Sequence, residues 1–180
     1  MSLPNLPVTV QAINYYTNWS NLIAIGPNAS TLRLSLGDST LTNTYWFVVI
    51  DRVSLKVVAN FTTKDNSNVP TQLSPYLGNT QYLLIVSTQN LGSAYLPHGA
   101  LYSFLVSEGA GVELRRLEQI YSTLNCGTWG FMAYSFVCVL GDDGSGAFEA
   151  STLQQNALLQ TIQLMPINIG GTNYYTPISL

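Results

Sequence analysis

Charge is the scarcest property of this chain. Asp, Glu, Lys and Arg make up 8 % of its 180 residues, about a third of the share usual in soluble domains. Residues 1–32 and 150–180 contain none at all. Six basic residues cannot build the Lys/Arg stripe that neutralises a phosphate backbone, so no nucleic-acid partner is expected. The hydrophobic fraction is 47 % with a net charge of −3, which is not the composition of a disordered chain.

Histidine is almost absent. His98 is the single one, in Leu96-Pro97-His98-Gly99, where a polar residue at a helix start needs no special role. A Ser–His–Asp arrangement would have to use it, and no Gly-x-Ser-x-Gly elbow accompanies it. Gly109-Ala110-Gly111 lacks the Lys of a phosphate-binding loop. Asp142-Asp143-Gly144-Ser145-Gly146 begins like a calcium loop but lacks the ligand spacing and the closing Glu, and reads as a solvated turn. No enzyme, metal or cofactor is expected. The two cysteines, Cys126 and Cys138, form no CxxC pair. They are either two buried thiols or one disulfide closing a short loop.

Long apolar runs are missing too. Phe47–Ile50 and Tyr82–Val86 have strand length, far short of the ~20 residues that span a bilayer as a helix. Membrane insertion is not expected, and no secretory leader is visible at the N-terminus.

What the chain does have is strand material. Val8–Ile13, Leu22–Ile25 and Leu32–Leu36 are short β-prone segments separated by Asn, Gly, Pro and Ser. Trp46–Ile50 and Tyr82–Ser87 are apolar on both faces, as central strands are. Asp51–Ser54 is a turn that returns through Leu55–Phe61. A short helical piece is expected over Pro70–Leu77. Pro97 opens a first helix carrying Leu101, Phe104 and Leu105. Leu114, Leu117, Tyr121 and Leu124 recur at three-to-four spacing and mark a second, amphipathic helix. Its outer face holds Glu113, Arg115, Arg116 and Glu118, so water faces that side. Phe131–Leu140, Ile162–Ile169 and Tyr174–Ile178 are further strands, the last two joined by Gly170-Gly171. The expected fold class is α+β: a mixed sheet or sandwich core with two or three helices, flanked by β-rich extensions. The division is 1–43 as a β-rich N-terminal extension, 44–150 as a central α/β module and 151–180 as an extended C-terminal arm.

The central stretch resembles a known family. Trp46–Asp51, Lys56–Phe61, Leu73–Leu77, Leu83–Thr88, Val112–Leu124 and Phe136–Gly141 follow the element order of the interleukin-like EMT inducer domain. The resemblance implies a compact α/β fold. Family members are secreted signalling proteins, and a related module binds carbohydrate. Where the family carries aspartates after two strands, this chain has Thr62-Thr63 and Thr88-Gln89-Asn90. No ligand residue carries over.

Tyr15, Tyr16, Trp19, Tyr174 and Tyr175 lie in the two uncharged stretches. Tyr and Trp are enriched at interface hot spots and also stack on sugars, so these five are the candidates for subunit or ligand contact. The expected function is a non-enzymatic structural protein of a phage or viral particle, or of a similar extracellular assembly. Its partners are copies of itself or other particle proteins. The alternative is a carbohydrate-binding module with a glycan partner.

Overall fold

The computed structural model describes residues 3–14, 20–26, 31–34, 42–124 and 131–179. Strands take up 47 % of them and helices 18 %. The α+β expectation is therefore corrected to a β-rich fold. The short helical piece expected over Pro70–Leu77 narrows to one 3-10 turn, Thr71–Leu73. The described residues hold two α-helices, α1 (Gly99–Ser107) and α2 (Val112–Leu124). The physical reason is that the two-sided apolar segments pair with one another, while few residues keep the helical stripe.

Among the described residues eleven strands run in chain order: β1 (Leu6–Ile13), β2 (Leu22–Ile25), β3 (Leu32–Arg33), β4 (Thr44–Asp51), β5 (Val57–Thr63), β6 (Tyr82–Gln89), β7 (Leu91–Gly92), β8 (Phe131–Val139), β9 (Phe148–Thr152), β10 (Ala157–Ile169) and β11 (Thr172–Ile178). Strands β5, β4, β6, β8 and β9 pair antiparallel in that order and form a central sheet. Strands β3, β2, β1, β10 and β11 pair antiparallel in that order and form a second sheet. The two are continuous where Ile13 pairs in parallel with Gln89.

Period-two alternation divides the core into two layers. Trp46, Val48 and Ile50 of β4, Leu83 and Ile85 of β6, and Val137 and Val139 of β8 face the second sheet. There they meet Val8, Val10, Ile23, Ile25, Ile162, Leu164 and Tyr175. The intervening residues Tyr45, Phe47, Val49, Leu84, Val86, Tyr134, Phe136 and Cys138 face the helices and meet Leu101, Leu105, Leu114 and Leu117. The central sheet is thus covered on both faces, which is why its strands read as unbroken apolar runs. The order of layers is helices, central sheet, second sheet.

The second sheet draws its strands from residues 6–33 and 157–178. β1 pairs with β10 over eight residues, from Leu6 with Leu164 to Ile13 with Ala157. Its inner face is apolar, and its outer face has no further layer upon it among the described residues. β1 and β10 therefore alternate, where β4, β6 and β8 do not.

Candidate functional site

One end of the sandwich is closed by a single cation. The β4–β5 turn puts Arg52 against the free edge of β11. The Tyr175 N–H donates to the Arg52 carbonyl at 3.0 Å. The side chain then runs along that edge. Its Nε donates to the Tyr175 carbonyl at 2.8 Å, one Nη donates to the Thr80 carbonyl at 2.6 Å, and the other donates to the Thr176 hydroxyl. The Tyr174 ring lies over the guanidinium, 5.5 Å from ring centre to Cζ. That distance is within cation–π range.

Arg52 is 6 % exposed. Buried charges are normally paired, yet among the described residues no carboxylate is bonded to this one. Burial pushes the guanidinium pKa down, and the negative charge of Asp142, acting through space, partly restores it. Beside Arg52 an open cleft of about 230 Å³ is lined by Arg52, Asn79, Thr80, Gln81, Ile169 and Tyr174. Asn79 and Gln81 are braced: Asn79 Oδ1 accepts the Gln81 N–H at 3.0 Å, and Gln81 Nε2 donates to Asp51 Oδ2 at 2.7 Å.

The opposite end of the sandwich has the reverse character. Asn14, Asn21, Gln89 and Asn90 each bury a side-chain oxygen that meets no donor among the described residues. Their amide nitrogens or backbones are engaged: Asn21 Nδ2 donates to Ser87 Oγ at 2.7 Å, and the Asn90 N–H donates to the Ile13 carbonyl at 2.8 Å. An unmet buried acceptor costs about 1–3 kcal/mol.

The five aromatic candidates do not share one environment. Tyr174 is partly exposed at the Arg52 cleft. Tyr175, the next residue on the strand, points the other way and is buried between the sheets. Tyr15, Tyr16 and Trp19 lie outside the described residues, as does Cys126. Cys138 is a buried free thiol on the helix-facing side of β8. Burial, with the Glu108 charge beside it, raises its pKa well above the usual thiol value, which disfavours the nucleophilic thiolate.

His98 is exposed at the start of α1. The oxygens of Asp142 and Asp143 are taken up by the turn itself: Asp142 Oδ1 accepts the Asp143 N–H at 2.9 Å, and Asp143 Oδ1 accepts the Ser145 N–H at 3.0 Å. Among the described residues no three His, Cys, Asp or Glu side chains are gathered as a metal would need. No helix there is long and apolar enough to cross a membrane.

Sequence reasoning missed Arg52 entirely, treating it as part of a turn. The signal available was an Arg at the end of a two-sided apolar strand, in a chain with six basic residues. No family model matches the chain, and no curated protein matches it.

Proposed function

We propose that the chain is a non-enzymatic structural protein of an extracellular assembly, such as a phage or viral particle, and that it docks to its neighbours through the outer face of the second sheet. The observation that carries this reading is the composition of that face. Directly paired residues share a face of a sheet. Thr9 and Gln11 of β1 pair with Ala24 and Leu22 of β2, and with Thr161 and Leu159 of β10. Gln163, Met165 and Ile167 continue the same row and pair with Ile178, Thr176 and Tyr174. None of these residues is charged. Arg33, paired with Leu22, stands at the edge in β3. Leu159 is 61 % exposed, and Met165 and Ile169 are also open to solvent.

The opposite side of the molecule behaves like an ordinary soluble surface. The exposed flank of α2 carries Arg115, Arg116 and Glu118, and Arg116 pairs with Glu113 at 2.7 Å. A face without charges offers nothing to keep copies apart, whereas mixed charges do. A stable contact buries about 800 Å² on each partner, roughly a tenth of the 8770 Å² that the chain exposes. One sheet face can supply that. On this reading residues 44–150 are the rigid module, similar to the interleukin-like EMT inducer domain, and the second sheet is the adhesive layer.

The test is oligomeric state by light scattering after size exclusion, for the native chain and for a Leu159→Lys, Met165→Lys variant. Both positions are exposed, so the variant should keep its circular dichroism and lose self-association. A native chain that stays monomeric at about 100 µM, weaker than ordinary specific contacts, overturns self-assembly. A variant that associates undiminished overturns the face.

A further inference from the structure

We propose that the cleft beside Arg52 is a binding site for a carboxylate group carried on a small, partly apolar body. This goes beyond the assembly reading and does not depend on it. The argument starts from donor accounting. A guanidinium has five N–H donors and no acceptor. Arg52 uses three of them, on the Tyr175 carbonyl, the Thr80 carbonyl and the Thr176 hydroxyl. One N–H on each terminal nitrogen is left. A carboxylate can take up both at once, and paired N–H contacts to a carboxylate are the arrangement in which Arg binds most strongly.

All three acceptors in use are neutral, so the hydrogen bonds hold the guanidinium in place without balancing its charge. The side chain is 6 % exposed. An ionised group at that depth is stabilised by an opposite charge in contact. Asp142 does not supply it. Asp142 favours the charged guanidinium from a distance, but its Oδ1 accepts from the Asp143 N–H and its Oδ2 from the Ser145 hydroxyl. Its charge disfavours an incoming anion, which sets the affinity low and makes direct contact with Arg52 the decisive interaction.

The rest of the cleft selects the body of the ligand. The Tyr174 ring and the Ile169 side chain give an apolar wall, and Asn79, Thr80 and Gln81 give a polar one. The volume of about 230 Å³ is below the range for drug-sized molecules. It suits one small ring. Two sources share this chemistry: a free small acid and a carboxylate borne on a sugar. A neutral sugar lacks the group that Arg52 is missing.

The experiment is a proton NMR titration of the full chain with propionate, D-glucuronate and D-glucose in turn, following the Tyr174 ring and Arg52 Nε–H signals. The expected result is saturable shifts with one or both carboxylates, at dissociation constants in the millimolar range, roughly −4 kcal/mol of binding, and none with glucose. Propionate and glucuronate alike mark a free-acid site; glucuronate alone marks an acidic sugar. Tyr174→Ala, which leaves the three Arg52 hydrogen bonds in place, should weaken binding about tenfold through loss of the ring wall. Arg52→Lys should abolish it, because an ammonium cannot make the paired contact. If that variant fails to fold, Tyr174→Ala decides. No saturable shift with either carboxylate, an equal response to glucose, or unchanged binding by Tyr174→Ala overturns the proposal.

Discussion

Arg52 and Tyr175 hold each other twice. The Tyr175 N–H donates to the Arg52 carbonyl at 3.0 Å, and the Arg52 Nε donates to the Tyr175 carbonyl at 2.8 Å. The two residues are 123 positions apart in the chain. Their contact joins the turn at the end of β4, in the central sheet, to the edge strand of the second sheet. An open edge would otherwise present unpaired N–H and C=O groups. Here part of that edge is occupied by one side chain and its own backbone.

Removing the side chain should therefore loosen the second sheet. Arg52→Met keeps most of the volume but leaves the Tyr175 and Thr80 carbonyls without their donors. Each such loss costs about 1–3 kcal/mol. The expected destabilisation is about 2–4 kcal/mol, read as a lower urea midpoint. Hydrogen exchange should rise first at Tyr175 and its neighbours on β11. Protection there that is unchanged would mean the clamp is ornamental.

Glu149 organises the start of α2 in a similar way. Its carboxylate accepts the N–H groups of Gly111, Val112 and Glu113 at 2.8, 2.8 and 2.9 Å, and the Tyr134 hydroxyl at 2.8 Å. Helix starts leave such N–H groups without partners, and a negative charge there is also favoured by the helix dipole. Because Glu149 sits in β9, the cap pins α2 to the central sheet. Glu149→Ala should cost about 2 kcal/mol, at the upper end for a lost cap. Tyr134→Phe should cost about 1 kcal/mol. The double variant should cost less than the sum, since the two groups share one hydrogen bond.

Much of this was readable beforehand, for reasons that particular residues make plain. β2 runs over the expected Leu22–Ile25, because Gly26, at φ of +67°, ends it. The β4–β5 hairpin follows from Asp51, whose Oδ1 accepts the Ser54 N–H at 2.7 Å within the turn. Leu114 and Leu117 are buried as the helical stripe requires. The fold class was not readable. Phe148–Thr152 is a strand in which every residue is half-buried, so it shows no clean alternation. Residues 157–161 of β10 are hidden for a related reason. Leu159 points outward and Gln160 inward, where Gln160 is held by the Ser135 hydroxyl at 2.8 Å. Their polarity is the reverse of what patterning assumes. The cleft was invisible because Arg52 and Tyr174 meet only through tertiary pairing.

Two glycine positions separate crowding from backbone conformation. Gly141 has φ of +71°, and a Cβ there would lie 2.5 to 2.8 Å from the backbone of Gly78. Gly170 has φ of +58° with nothing within 4 Å of that place. Gly170→Ala should cost about 1 kcal/mol, the conformational penalty alone. Gly141→Ala should cost clearly more, on the order of 3 kcal/mol, because backbone must move as well. Equal thermal shifts for the two would refute the close approach of the 78 and 141 turns.

Asp65 should contribute to the acid limb of stability, beside Asp51 and Asp143, whose carboxyls are also held below their usual range. Its carboxylate accepts the Asn68 side-chain amide at 2.9 Å, the Ser67 N–H at 2.9 Å, the Ser67 hydroxyl at 2.8 Å and the Asn68 N–H at 3.1 Å. These bonds, the Asn68 amide foremost, hold its pKa well below the usual carboxylate range. The loop they shape presents the Asn66 and Ser67 carbonyls to the His98 and Leu101 N–H groups at 2.8 and 3.0 Å, and so steadies the start of α1. A carboxyl whose pKa is lower folded than unfolded binds more protons when unfolded. It therefore contributes stability above about pH 4, the unfolded value, and loses it as pH falls toward the folded one. The native chain should weaken between about pH 4 and pH 2. Asp65→Asn should be less stable at neutral pH and show a flatter decline over that window. Urea midpoints at half-unit pH steps measure both. Parallel curves for the two chains would place the acid limb elsewhere.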